Sequence, residues 1–143
     1  MYRKILMPID IDYPEIAVGV YRKAAELAEC SKGEIRLLSV LPGFGMPIVA
    51  SYVTDEIRKE TYERVCRALE DFIETYCTPD VSYTVATGKN WEEILKTARE
   101  WSADVIVVYH NRHREFNEAF SGSCARRVAE NAGCSVLWVR NIH

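Results

Sequence analysis

Two segments of the sequence carry residue types that could hold an anion or a sugar. Asp10 closes an apolar run near the N-terminus, and Gly122-Ser123 stands where a helical pattern resumes after a polar, cationic loop. The N–H groups at the start of a helix have no partner within the helix, and the helix dipole adds partial positive charge there. The second segment therefore predicts an anion site, with phosphate as its natural ligand.

Asp10 allows two interpretations. A carboxylate at the end of a strand can accept hydrogen bonds from the hydroxyl groups of a ribose. The same side chain could instead close a turn or cap the next helix. We favour the binding role, because the surrounding pattern of strands and helices supports a ligand crevice.

Efficient catalysis has little support in the sequence. No P-loop of the Gly-x-x-x-x-Gly-Lys-Ser/Thr type occurs, and only Asp10 and Asp12 can be nominated as a carboxylate pair for magnesium. His110 and His113 are available bases, although a lone histidine in a loop is more often solvated. Cys124, near a helix start, could have a lowered pKa, but we favour a structural role. We predict a binding and regulatory module with slow hydrolysis at most.

The composition limits the class of protein. The 143 residues are 48% hydrophobic and 27% charged, which is typical of a globular protein, and the length favours one domain over residues 1–143. A net charge of -3 argues against binding nucleic acid through phosphate neutralisation. No apolar stretch is long enough to span a bilayer and no signal-peptide core is present, so we expect a cytoplasmic protein. The five cysteines include no Cys-x-x-Cys pair, so neither a disulfide framework nor a metal site is expected.

Apolar runs alternate with helical periodicity along the whole chain. Strands are predicted at residues 4–10, 34–41, 81–87, 104–108 and 134–139, and helices at 14–31, 54–76, 90–101 and 123–131. The third strand alternates in polarity and is expected near an edge. Asn90 with Glu93 predicts a capping box, and Trp91 and Trp101 are expected as core anchors. The apolar residues of 42–52 are expected to pack within the fold, over a ligand or against a partner.

This succession predicts an α/β fold with five strands in a mostly parallel sheet and four helices that cover both faces. In such sheets ligands bind beyond the carboxyl ends of the strands, where the strand order reverses. Asp10 after the first strand and Tyr109 after the fourth are the expected flanks of that crevice.

Several segments together carry a family resemblance. They are residues 5–10 (Ile-Leu-Met-Pro-Ile-Asp), residues 37–40 before a Pro/Gly turn, Gly88 with Glu93-Ile94 and Ala98, residues 103–107, Gly122-Ser123, and residues 135–140. In this combination the chain resembles the universal stress protein family over essentially its whole length. The resemblance implies a Rossmann-like, doubly wound sheet in the order 3-2-1-4-5. It also implies, as in many members, an adenine nucleotide at the switch point, either AMP or ATP with magnesium.

The ATP-binding pattern of the family is Gly, two residues, Gly, nine residues, then Gly followed by Ser or Thr. With Gly122-Ser123 as the last element, Tyr109 and Arg112 stand at the two early glycines. Large side chains there would hinder close approach of the backbone to phosphate. The cationic residues 112–114 could bind phosphate by side chain instead, or simply form a solvated loop. We therefore predict a nucleotide site that keeps the family's residues at its adenosine end but not at its phosphate end. Nucleotide binding is expected to be weak or altered.

Carried over position by position, the resemblance assigns twelve residues to the ligand. They are Pro8, Ile9, Asp10, Val40, Val108, Tyr109, Asn111, Arg112, Gly122, Ser123, Cys124 and Ala125. The first four would hold the adenosine end, with Val40 against the base, and the others would line the phosphate end.

The sequence also bears on the partners of the protein and on alternative functions. The uncharged strand Ser135–Val139 would be a sheet edge, and the resemblance implies a homodimer through it. Residues 40–47 resemble a subgroup that accompanies membrane transporters, which adds a transporter as a protein partner. One alternative is a scaffold subunit of the same fold that binds no nucleotide. Another is a small enzyme, such as a nucleotide hydrolase or an adenylating enzyme, but the Ser-Gly-Gly-x-Asp-Ser loop of adenylating relatives is absent.

Overall fold

The computed structural model describes residues 1–43, 54–109 and 122–140, and in these ranges strands alternate with helices. The elements are β1 (Lys4–Pro8), α1 (Pro14–Ser31), β2 (Glu34–Pro42), α2 (Asp55–Tyr76), β3 (Ser82–Gly88), α3 (Asn90–Trp101), β4 (Val105–Tyr109), α4 (Gly122–Asn131) and β5 (Ser135–Val139). Each predicted element is present, with its ends displaced by about two residues at most. In the described residues no helix is both long and apolar enough to cross a membrane.

The five strands form one parallel sheet in the order β3-β2-β1-β4-β5, which confirms the predicted fold class and topology. The central strand β1 is buried almost throughout because apolar side chains point to both of its faces. The edge strand β3 is only partly buried, as its alternating sequence predicts.

Two apolar clusters lie on opposite faces of the sheet. On one face, Ile5 and Met7 of β1 pack with residues of α1 and α2, and we call this the α1/α2 face. On the other, Leu6 packs with Leu38, with Ile94 of α3 and with residues of α4, and we call this the α3/α4 face. Successive strand residues alternate between the faces, so each strand contributes to both clusters.

The helix ends follow local chemistry with one correction to the predictions. Thr54 caps α2, because its side-chain oxygen accepts the N–H of Ile57. The capping box predicted for Asn90 is wrong: Asn90 is the first helical residue, Lys89 occupies the cap position, and no side-chain cap bond is made there.

The tryptophans of α3 are half-buried rather than core residues. Both pack against the edge of the cluster on the α3/α4 face. The guanidinium carbon of Arg36 lies 4.5 Å from the ring centroid of Trp101, and that of Arg127 lies 5.2 Å from the ring of Trp91. Cation–π contact with arginine explains why these rings lie at the periphery of the core.

Asp104 joins two chain segments that are distant in sequence. Its carboxylate accepts the N–H groups of Arg3 at 3.0 Å and Lys4 at 2.9 Å, which links the start of β4 to the start of β1. These bonds favour the charged form, and they hold the pKa of Asp104 below its ordinary value of 3.8.

We expect Asp104→Ala to lower the free energy of unfolding at pH 7. Because the pKa is lowered in the folded state, the contribution is complete above 3.8 and disappears as the pH falls through the lower folded value. Urea unfolding of both proteins between pH 7 and pH 3 measures this. The control is Asp71→Ala, which removes an exposed carboxylate from α2. A stability difference between Asp104→Ala and the wild type that does not shrink on acidification would contradict this assignment.

Candidate ligand crevice at the switch point

The central strands β1 and β4 separate near their carboxyl ends. Their paired residues are Ile5 with Val105 and Leu6 with Ile106, whereas β1 stays paired with β2 as far as Pro8 and Leu38. The chain connections leave β1 and β4 in opposite directions at this point of the 3-2-1-4-5 order. The divergence therefore opens a crevice at the topological switch point, where ligands bind in sheets of this kind.

Asp10 follows β1, two residues beyond the end of the strand and on the side where β1 and β4 diverge. It is 6% exposed, and Oδ1 accepts the N–H of Asp12 at 3.0 Å. The carbonyl group of Asp10 also accepts the N–H of Tyr13 at 3.2 Å, just before α1 begins. Asp10 therefore does act as a turn residue, which was the alternative interpretation of this side chain. A carboxylate has room for about four acceptor bonds, so a turn bond and a ligand bond are compatible.

The residues next to Asp10 lie at the carboxyl ends of β1 and β2. Pro8 ends β1, and Ile9 continues the ladder by donating its N–H to the carbonyl group of Leu38 at 2.8 Å. Val40, two residues further along β2, is half-buried and packs on the α3/α4 face. Pro8, Ile9, Asp10 and Val40 thus follow one another along adjoining strand ends.

The rim beyond β2 contains a close backbone contact that sequence reasoning missed. A Cβ atom on Gly43 would lie 3.2 Å from the Cα atom of Gly88. Gly88 itself has φ of +150°, a conformation that other residues rarely adopt. A Cβ there would also lie 2.7 Å from Oε1 of Glu93. The sequence Gly88-Lys89 predicted a turn at this place. The contact between Gly88 and Gly43 on the neighbouring strand could not be inferred from the sequence.

On the other side of the crevice, β4 ends with two residues that face opposite ways. Val108 is buried on the α3/α4 face, whereas Tyr109 is half-buried and packs against the cluster on the α1/α2 face. The side chain of Tyr109 therefore points away from the face that carries Val40 and the start of α4. Asn111 and Arg112, with the histidines and cations around them, lie outside the described residues, as do residues 44–53.

α4 begins at Gly122, so Gly122 and Ser123 lie in its first turn, and an anion site there stays a prediction. Gly122 is half-buried, Ser123 is exposed, and Cys124 and Ala125 are buried on the α3/α4 face. No acidic residue occupies the first turn. The suggestion of a lowered thiol pKa at Cys124 is wrong, because burial raises it to about 11 while the charge of Arg127 acts in the opposite direction. The thiol is therefore protonated near neutral pH, and it packs as a small apolar group.

A separate cleft of about 190 Å³ lies at the opposite end of the sheet, and its lining includes Leu95, Arg99 and Cys134. It faces the amino ends of β4 and β5 and the C-terminal ends of α3 and α4. Helix C-termini carry partial negative charge, which disfavours an anion here, although Arg99 contributes one positive charge to the lining.

The sheet order and the crevice define a Rossmann-like α/β protein with a ligand site at its switch point. The family model "Universal stress protein family" matches residues 1–140, and the chain belongs to that family. It is 30% identical to universal stress protein G of Shigella flexneri, over 98% of this chain and 100% of the relative.

Two solved structures that share the fold contain adenine nucleotides. The universal stress protein of Archaeoglobus fulgidus in complex with dAMP has a TM-score of 0.62 and 23% identity, and the match covers 96% of this chain and 97% of that one. A universal stress protein in complex with cAMP has a TM-score of 0.63 and 16% identity, and covers 97% of both chains.

Proposed function

We propose that the protein is a regulatory module that binds an adenine nucleotide, AMP or ATP with magnesium, in the crevice between β1 and β4 and signals its state to a partner protein. The observation that carries the proposal is the divergence of β1 and β4 beyond Leu6, with Asp10 on one side and the α4 start on the other. Family membership and the nucleotides in two structural neighbours support it.

The adenosine end of the crevice would be formed by Pro8, Ile9, Asp10 and Val40. The Asp10 carboxylate accepts hydrogen bonds from ribose hydroxyl groups, and charge-assisted bonds of this kind are the stronger ones. Val40 offers an apolar surface to the base, and the peptide groups beside it offer a donor and an acceptor to the base edge.

The phosphate end would be formed by the end of β4, the loop that follows it and the start of α4. Val108, Tyr109, Asn111 and Arg112 would line the loop side, and Gly122, Ser123, Cys124 and Ala125 would offer N–H groups or a hydroxyl group. Residues with side chains replace both early glycines, so the backbone of the loop has fewer allowed conformations than a glycine loop for close approach to a triphosphate. We therefore expect weaker ATP binding than a glycine-containing loop would allow.

Calorimetric titration with AMP, with Mg-ATP and with adenosine tests the proposal. We expect saturable heats for AMP, and no multiple-turnover release of phosphate from ATP. Absence of binding to AMP and ATP at millimolar concentration would contradict the nucleotide proposal and favour a scaffold subunit of the same fold. Rapid turnover of ATP that Asp10→Ala abolishes would instead favour the enzyme alternative.

The protein is further proposed to form a homodimer through β5. This strand is a sheet edge, it contains no proline or charge, and Leu137 at its centre is 39% exposed. Such an edge invites pairing, and a two-fold antiparallel pair covers it with an identical strand. The partner that receives the signal is proposed to be a membrane transporter, in keeping with the resemblance of residues 40–47.

Replacing Leu137 by Arg is expected to convert the dimer to a monomer. The charge would lie in the middle of the paired strands, next to its own copy, and would have to be desolvated. Light scattering coupled to gel filtration gives the mass directly. Tyr62→Arg is the control, because Tyr62 is 49% exposed on α2, away from β5. A wild-type protein that is monomeric at tens of micromolar would contradict the dimer proposal.

A further inference from the structure

Arg127 of α4 and Trp91 of α3 form a cation–π pair between the two helices. The guanidinium carbon lies 5.2 Å from the centroid of the Trp91 ring. The two helices pack against each other, and both start at the carboxyl ends of the strands. Trp91 also packs on the α3/α4 face, as do Val40 and Val108. The pair therefore bridges the two helices on the face of the sheet where the base and phosphate sites are proposed.

Helix geometry directs the Arg127 side chain toward the start of α4. Arg127 follows Ser123 by four residues, so the two lie on the same side of the helix, about 5–6 Å apart at Cβ. Helical side chains lean toward the helix N-terminus and cover the preceding turn. The positive charge of Arg127 also acts on the thiol group of Cys124, in the first turn. Among the described residues, nothing buries the Arg127 side chain, which is exposed.

We propose that Arg127, positioned by Trp91, binds the phosphate group of the nucleotide at the start of α4. This inference rests on the proposed function and adds a residue to it. A guanidinium group that lies over an aromatic face keeps its in-plane N–H groups available, and these match two phosphate oxygens. The side chain thereby supplies contacts in place of those that the two early glycines of the loop give in the family pattern.

Two carboxylates, the exposed Glu92 and the half-buried Glu93, lie in the first turn of α3 next to Trp91. Glu93, in the first turn of α3, lies on the side of Gly88, because a Cβ on that glycine would meet Glu93 Oε1 at 2.7 Å. Its carboxylate therefore faces β3 rather than α4. The first turn of α4 has no acidic residue. A phosphate at the start of α4 would thus meet the helix dipole and the guanidinium group together.

The test compares AMP with adenosine in the wild type and in Arg127→Met, which keeps a long apolar stem without the charge. We expect AMP affinity to fall about 10-fold, the loss of one charge-assisted contact, and adenosine affinity to change less than about twofold. In Arg127→Lys we expect AMP affinity to fall about threefold, because the ammonium group keeps the charge but cannot bind two phosphate oxygens at once. In Trp91→Leu we also expect AMP affinity to fall about threefold, because the Arg127 guanidinium group loses the aromatic ring that positions it. Arg126→Met removes another exposed arginine from the same helix, one that forms no cation–π pair with Trp91 in the part of the chain that the structure describes, and is the matched control.

The outcomes separate this inference from the proposed function. A wild type that binds neither AMP nor adenosine overturns both. A wild type that binds AMP while Arg127→Met binds it equally well overturns the role of Arg127 alone. A parallel loss of AMP and adenosine affinity in Arg127→Met and Arg127→Lys, together with a lower melting temperature, would show a structural role and also overturn it.

Discussion

Replacing Asp10 by Ala is expected to weaken AMP binding about 100-fold. Asp10 is buried at the end of β1, where its carboxylate would accept bonds from ribose hydroxyl groups. Each hydrogen bond to a charged group contributes about 1.5–3 kcal/mol, and in Asp10→Ala the ribose hydroxyl groups would be buried without their acceptor. Asp10→Asn keeps the shape and one acceptor oxygen, so its expected loss is about 10-fold. Calorimetric titration with AMP measures both.

Asp12→Ala is the control for this series. Asp12 takes part in the same turn, but through its backbone N–H, which donates to Asp10 and survives the substitution. We expect less than a twofold change in AMP affinity. If Asp10→Ala binds AMP as the wild type does, Asp10 is only a turn residue. Thermal melting of all three variants identifies any loss of affinity that comes from unfolding.

Replacing Gly33 by Ala is expected to lower the free energy of unfolding by about 3 kcal/mol and the melting temperature by roughly 6–12 °C. A Cβ at this position would lie 2.5 Å from the carbonyl oxygen of Tyr2 and 3.1 Å from that of Arg3. Both carbonyl groups are held, since Ser31 donates its hydroxyl to Tyr2, and Glu34 donates its N–H to Arg3 at 2.8 Å. Relief of the clash would therefore break the start of the β1–β2 ladder.

Gly133→Ala is the matched control for Gly33. Apart from its two chain neighbours, no described residue places a heavy atom within 4 Å of the position of its Cβ. We therefore expect a change within about 1 kcal/mol, of either sign. Urea unfolding of the two variants gives the comparison. Equal stability of Gly33→Ala and Gly133→Ala would contradict this prediction. It would mean that the backbone of Tyr2 and Arg3 can move away from the added Cβ without loss of stability.

The fold was predictable because each element has a local signature. The run Ile5-Leu6-Met7 is apolar at every position, which is what a strand covered on both faces requires. The α1 ending at residues 31–33 was also visible, although the left-handed residue there is Lys32, with φ of 55°, and not the glycine that follows. The capping box at Asn90 was wrong because the turn at Gly88 places Lys89, rather than Asn90, at the cap.

The candidate site was predictable only as a set of strand ends and one helix start. Asp10 and Gly122-Ser123 carry chemistry in their own residue types, so they could be recognised without coordinates. The separation of β1 from β4, the side on which Tyr109 packs and the Arg127–Trp91 contact depend on residues far apart in sequence. No local pattern encodes them, since they result from how two helices pack on a twisted sheet.

A crystal structure of the protein with bound AMP would show directly whether the crevice is a nucleotide site. We expect AMP in the crevice between β1 and β4, with ribose hydroxyl groups bonded to the Asp10 carboxylate and the base against Val40. Its phosphate should lie at the N–H groups of Ser123 and within hydrogen-bond distance of Arg127. AMP bound elsewhere, for example in the cleft beside Arg99 and Cys134, or a crevice without AMP at millimolar concentration, would contradict the account.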